Sequence, residues 1–220
     1  MPPSWVWPRL VAAALVNTAC ASRRPCRDTS QYGQTAKFLE MHRGLVGTFI
    51  EFGCANGIKN SNTHMLECLG WHGVCIEPVD TITSRAHGLK GAVCEPGRES
   101  VAIVVANKDG LHGVRPNLNP FGALATNVKT VKCHDLGVIR EQHGMNNVTY
   151  MTVDTEGNES DLLEAYMPLD WVTWLQVECN TVRECVRVRG VLMHSFKIVH
   201  FFPFDNRRGG GDILFRRRFD

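Results

Sequence analysis

Thr48-Phe49-Ile50-Glu51-Phe52-Gly53-Cys54-Ala55-Asn56-Gly57 decides the fold. A short apolar run ends in a carboxylate and two glycines, the pattern of a buried parallel strand feeding a ligand loop. Helical spacing of Met65, Leu66 and Leu69 follows over Asn62–Leu69, and Gly70 closes it. Gly73-Val74-Cys75-Ile76-Glu77-Pro78 is a second buried strand, stopped by proline. Further out, Val101–Ala106 reads as a strand, residues 107–130 as a Gly/Asn/Pro-rich excursion, and His134–His143 as a helix. Val148–Asp154 and Trp171–Glu178 are strands around a helix over Ser160–Tyr166. Phe196–Phe202 and Asp212–Arg217 form an antiparallel hairpin across Asn206–Gly211. Strands alternating with helices predict an α/β domain with an open, mostly parallel sheet and a ligand crevice at the strands' carboxyl ends.

The chain has 220 residues, 44% hydrophobic and 21% charged, which suits one globular domain and excludes disordered, collagen-like and coiled-coil chains. No apolar run reaches the ~18 residues of a membrane span. Residues 1–21 carry one charge (Arg9), an apolar run and Ala19-Cys20-Ala21, the pattern of a secretory signal or leader. Residues 22–33 read as a linker and 34–220 as the domain. A signal would place the protein in the secretory pathway or outside the cell; otherwise it is cytoplasmic or organellar. Of nine cysteines none forms C-x-x-C. His64, Cys68, His72 and Cys75 straddle a helix, a turn and a strand, so no metal site is expected. Buried apolar thiols are the main expectation, with pairing among the eight cysteines after Cys20 if the chain is secreted. Of the two sequons, Asn147-Val148-Thr149 and Asn158-Glu159-Ser160, the second lies among the candidate site residues.

Acids mark the predicted carboxyl ends: Glu51, Glu77, Asp154 with Glu156, and Glu178. Gathered round one crevice they create a negative field suited to a cation such as a sulfonium. Glu77 stands about twenty residues past the glycine loop, where an acid suits ribose hydroxyls. The first loop is not G-x-G-x-x-G and offers no phosphate lysine, which weakens dinucleotide and P-loop readings.

Three blocks together, Gly47–Gly57 with Ser61-Asn62-Thr63, Leu69–Pro78 and Val153–Glu159, resemble the FkbM-type methyltransferases over roughly residues 33–218. Gly211-Asp212-Ile213-Leu214-Phe215 is similar to that family's last strand. The resemblance implies S-adenosylmethionine as cofactor and a Rossmann-like, seven-stranded, mostly parallel sheet with its last strand antiparallel. It implies that Glu51, Gly53, Asn56 and Gly57 line the methionine side, that Glu77 holds the ribose, and that Asp154 and Glu156 adjoin the transferring methyl group. The helix expected after Glu77 is compressed into Thr81–Gly88, and no acid marks an adenine contact. Asp154 and Glu156 are candidate bases for an oxygen nucleophile, with His64 and His134 behind them. The implied activity is O-methylation of a sugar, glycan or related small molecule. A nucleotide-sugar or dinucleotide enzyme and a non-catalytic binding domain stay open as alternatives. The excursion, with Arg115, Asn117, Asn119 and Phe121, is the expected acceptor selector. Arg216, Arg217 and Arg218 continue a strand and should alternate faces, a solvated edge that makes a nucleic-acid partner unlikely.

Overall fold

The computed structural model describes residues 26–79, 82, 84–105, 112–113, 128–204 and 209–218. The expected leader and nearly all of the 107–130 excursion lie outside them. In chain order the elements are α1 (Gln34–His42), β1 (Thr48–Phe52), α2 (His64–Cys68), β2 (His72–Glu77), β3 (Gly88–Lys90), β4 (Ala92–Val93), β5 (Ser100–Val105), β6 (His112–Gly113) and β7 (Val128–His134). There follow α3 (Leu136–Gln142), β8 (Val148–Val153), α4 (Glu159–Tyr166), β9 (Val172–Thr181), α5 (Val182–Leu192), β10 (Phe196–Pro203) and β11 (Gly209–Arg217).

Seven strands form the main sheet in the order β3-β2-β1-β8-β9-β11-β10. Neighbours from β3 to β9 pair in parallel, and β11 runs antiparallel to both β9 and β10. This is the expected Rossmann-like, mostly parallel arrangement with the last strand, β11, antiparallel. Strand order reverses between β1 and β8, so the ligand crevice belongs at the carboxyl ends of those two strands.

Each face of the sheet has its own core. On one, Ile139 of α3, Leu162 and Leu163 of α4, and Val188 and Leu192 of α5 cover Ile50, Val74, Met151 and Leu175. On the other, α1 inserts Phe38 among Phe49, Leu66, Trp71, Tyr150 and Trp174, stacked on Tyr150 with centroids 4.0 Å apart. Burying such an aromatic contributes roughly 1.5–3 kcal/mol. The Tyr150 hydroxyl, also buried there, donates to Gln176 Oε1.

Two expectations need correction. Val101–Ala106 reads as a main-sheet strand, yet β5 lies in a second sheet ordered β4-β7-β5-β6 and pairs antiparallel with β7. Val101 and Ile103 are buried while Ala102 is exposed, the alternation of a sheet covered on one face. The short β3 takes the third place in the main sheet. Buried free thiols are also overturned: Cys26–Cys68, Cys54–Cys75, Cys94–Cys133 and Cys179–Cys185 are disulfides. Spacing alone does not reveal such pairing, because it follows from how strands and helices come together in the fold. Cys26–Cys68 fastens residues just before α1 to the end of α2, and Thr29 donates to Ser61 O.

Candidate active site

Gly53 begins the crevice loop with φ +77. Its N–H donates to Ile76 O at 2.9 Å, and a Cβ there would stand 1.9 Å from Asp154 O. The loop therefore crosses the end of β8 in contact with its backbone, which only glycine permits. Gly57 (φ +81) packs on the Arg85 side chain, 2.7 Å from where a Cβ would sit. At these two glycines the backbone approaches other protein atoms closely. Asn56 Oδ1 accepts from the N–H groups of Ile58 and Lys59 and closes the turn. The Cys54–Cys75 disulfide ties this loop to β2.

Glu51 is fully buried beneath the loop. Its Oε2 accepts from Ser61 Oγ at 2.8 Å and Thr63 Oγ1 at 2.6 Å, and its Oε1 accepts from Asn62 N–H. Buried Arg85 lies 3.4 Å from Glu51 Oε2, and also donates to Gly57 O, Ser61 Oγ and Thr63 Oγ1 while pairing with Glu67. One carboxylate and one guanidinium thus hold residues 57–63 in place. Burial, reinforced by the Arg85 charge, pushes the His64 imidazole below its ordinary value. Glu77 is nearly buried at the end of β2, its Oε1 accepting from Val79 N–H at 2.8 Å.

A second group of acids has no such cation among the described residues. Pairing of Val153 with Val177 and of Glu178 with Asp212 aligns the ends of β8, β9 and β11. Asp154, Glu178 and Asp212 meet there, joined by Glu156 from the following turn and Glu159 from the first turn of α4. Carboxylate oxygens of Asp154, Glu159 and Glu178 lie within 4.8 Å of one another. Glu159 accepts from Thr155 N–H, Thr155 Oγ1 and Gly157 N–H, Glu178 from Asn180 Nδ2, and Asp212 from Gln34 Nε2. Among the described residues no Lys, Arg or His pairs with any of the five.

Burial without a counter-charge favours the protonated acids. It pushes Asp154 and Glu178 well up, helped by the Glu156 charge on the first and by the Asp154 charge on the second. Burial, then the Glu159 charge, raises Glu156 to about 8; burial raises Asp212 to about 7 against the Gln34 hydrogen bond, and it raises Glu159. Glu156 also sits at φ +58, a left-handed strain that functional turns store. The group can exchange protons near neutrality and attract a cation. The trio Asp154, Glu159 and Glu178 also offers the all-oxygen set that hard divalent ions take.

The four expected carboxyl-end sites therefore do not share one crevice chemistry: Glu51 is neutralised, Glu77 stands apart, and Asp154, Glu156 and Glu178 converge. His134 Nε2 is 3.0 Å from Lys90 O, on the side of the second sheet. Arg115, Asn117, Asn119 and Phe121 fall outside the described residues. Asn147 is exposed, whereas Asn158 and Ser160 are buried, so the second sequon is closed to glycosylation. Sequence reasoning missed Asp212, Glu159 and Arg85 as site residues. The one readable signal was Asp212, an acid interrupting a glycine-to-apolar strand. The basic tail also differs from expectation: Arg216, Arg217 and Arg218 line one hollow with Lys197. Facial alternation ends with β11 at Arg217, and Arg218, past the strand, turns its Nε to Phe196 O.

No family model matches the chain, and no curated protein matches it in sequence. Solved structures resemble it distantly. The METTL16 methyltransferase domain aligns with TM-score 0.47 and 10% identity over 84% of this chain and 65% of that one. This chain thus spans less than two thirds of that domain's length. The N-terminal domain of human METTL16 in complex with SAH gives 0.46 and 9% over 84% and 68%. Precorrin-6y C5,15-methyltransferase from Geobacter metallireducens GS-15 gives 0.42 and 10% over 83% and 87%.

Proposed function

We propose that this chain is an S-adenosylmethionine-dependent methyltransferase acting on a hydroxyl oxygen of a sugar, glycan or related small molecule. The observation that carries the reading is the group of five acids beside the switch point of the sheet, Glu159, Glu178 and Asp212 buried and Asp154 and Glu156 partly buried, without a cationic partner among the described residues. A cation is what that donor set lacks, and the cofactor fits on this ground. When bound, S-adenosylmethionine supplies an electrophilic methyl group on a positively charged sulfur.

The chain's own residues have separate tasks. Glu51 and Arg85 hold the 53–63 loop, so Glu51 serves as a positioning residue. Gly53 lets that loop lie against Asp154, and Glu77 accepts from ribose hydroxyls. Asp154, in the acid group with Glu178, carries negative charge beside the methyl-donor position once a bound cation favours loss of its proton. Glu156, with a pKa of about 8, is poised to take the acceptor's hydroxyl proton, since a base works best when its pKa is near the working pH. Four disulfides fit an oxidising compartment, in keeping with a secretory route.

Calorimetric titration with S-adenosylmethionine and with its neutral, demethylated product tests this reading. Ionisation of Glu156 and Asp212 between pH 6.5 and 8.5 should favour the sulfonium, so the ratio of the two affinities rises with pH. Absence of heat with both compounds refutes cofactor binding. A ratio that stays constant with pH refutes the placement of the acids beside the sulfur.

A further inference from the structure

His72, His87 and His143 take no part in the proposed reaction. They lie towards the opposite end of the sheet, His72 being five residues before Glu77, about 16 Å along β2. Three elements fix their backbones. The His72 N–H donates to Gly47 O at 3.2 Å, the His87 carbonyl accepts from Cys75 N–H at 3.1 Å, and the His143 N–H, capping α3, donates to Ile139 O at 3.1 Å. The rings meet edge to face: centroids are 5.1 Å apart for His72 and His87, and 5.7 Å for His87 and His143.

We propose that His72, His87 and His143 form a surface site for a divalent transition-metal ion of the Zn²⁺ class, distinct from the acid group. An imidazole nitrogen binds zinc at about 2.0–2.1 Å, which puts the ring centre about 3.2 Å from the ion; two such rings on a tetrahedral ion have centres about 5.2 Å apart. Both observed spacings lie within about half an ångström of that value. His87 is the central ring; the three rings' nitrogens do not converge in the ion-free structure, so binding requires side-chain rotation, for which the exposed His72 and His87 have room. An all-imidazole set selects zinc, copper or nickel over magnesium or calcium. Cys68 and Cys75 are committed to disulfides and do not compete. Water completes the coordination on the exposed side of His72 and His87.

The test is titration of the tag-free, disulfide-intact full chain with ZnCl₂ at pH 7.5 in a non-chelating buffer, monitored by calorimetry and by the histidine ring protons in NMR. The expected result is one saturable site that perturbs all three rings, weakened at least tenfold in His87→Ala and unchanged in Asp154→Asn. Because His87 is exposed, circular dichroism should show His87→Ala folded; His72→Gln and His143→Gln provide independent repeats. No saturation up to about 100 μM zinc overturns the proposal, as does binding that survives all three substitutions. Binding lost only in Asp154→Asn also overturns it, by assigning the ion to the carboxylates.

Discussion

Glu51 and Asp154 are carboxyl groups at the ends of adjacent strands of one sheet, Glu51 level with Thr152 and Asp154 two residues further on, just past β8. Their surroundings are opposite. Glu51 faces Arg85 and three hydroxyl or amide donors, so its charge is balanced and every contact serves the loop. Asp154 faces Glu178 and Glu156, and burial drives it towards the protonated state. Buried charge with a partner builds structure; buried charge without one is a standing electrostatic cost that a bound cation can relieve. Charge balance is the difference that separates scaffold from candidate chemistry, Glu51 being fully buried and Asp154 partly so.

The largest effect should come from exchanging charge on the unbalanced side. Asp154→Asn keeps the shape but removes the carboxylate beside the proposed reacting atoms. Turnover should fall by about 10²–10³, the range for losing one preorganised electrostatic group, while thermal stability holds or rises as repulsion is relieved. Methyl transfer from labelled cofactor to a library of hydroxyl compounds measures the first, and calorimetric melting the second. Parent-like turnover combined with lost stability would make Asp154 another Glu51 and erase the contrast.

On the balanced side, Arg85→Met leaves Glu51 buried without its cation. Breaking a buried pair costs about 3–5 kcal/mol, so the urea midpoint, measured with disulfides intact, should drop sharply. Removing both partners in Glu51→Gln with Arg85→Met should cost less than Arg85→Met alone. A double variant that is worse than the single one would show that Arg85 acts through Glu67 instead.

Glu77 tests whether a third acid belongs to either group. If it accepts from ribose hydroxyls, Glu77→Ala should weaken cofactor binding by roughly ten- to a few hundredfold, from ~1.5–3 kcal/mol for a charged hydrogen bond. Turnover at saturating cofactor should change little, because the interaction is the same in ground and transition states. Equal loss in turnover would move Glu77 into the reacting group with Asp154.

Much of this architecture was legible in the sequence because parallel strands buried on both faces are short apolar runs with abrupt ends. Thr48–Phe52, Gly73–Glu77 and Val148–Val153 announce themselves, and their terminal acids mark the crevice. The balance of charge was not legible. Arg85 reaches Glu51 from 34 residues away, out of a segment with no motif, and Asp212 arrives beside Glu178 only because β11 inserts between β9 and β10. The second sheet was hidden for a related reason: Val101–Val105 reads as a strand, but which sheet it joins depends on its pairing with β7. Side-chain type was readable wherever the local pattern decides it, and partner identity was lost wherever the topology decides it.

The smallest predicted effect separates the two acid groups by pH alone. Glu156 and Asp212 have folded-state pKa values of about 8 and about 7, above the ordinary carboxylate values they regain on unfolding. The folded chain therefore holds protons that the unfolded chain has released. That contribution to stability is fully present below the ordinary carboxylate range and is lost as pH rises through 7 to 8. His64 and His143, shifted downwards, act with the opposite sign, but their effect is complete once pH exceeds the ordinary histidine range. Between pH 7 and 9 the ligand-free melting temperature should accordingly fall, by ~2–4 °C for each kcal/mol lost in a chain of this size. Glu156→Gln should flatten the slope, because its amide has no proton to lose. Saturating S-adenosylmethionine should flatten it too, by supplying the missing positive charge, whereas the neutral product should do so less. Arg85→Met should lower the whole curve and leave its slope alone. A slope unchanged in Glu156→Gln and with the cofactor would mean that the five acids are solvated, and the contrast between Glu51 and Asp154 would then carry no functional weight.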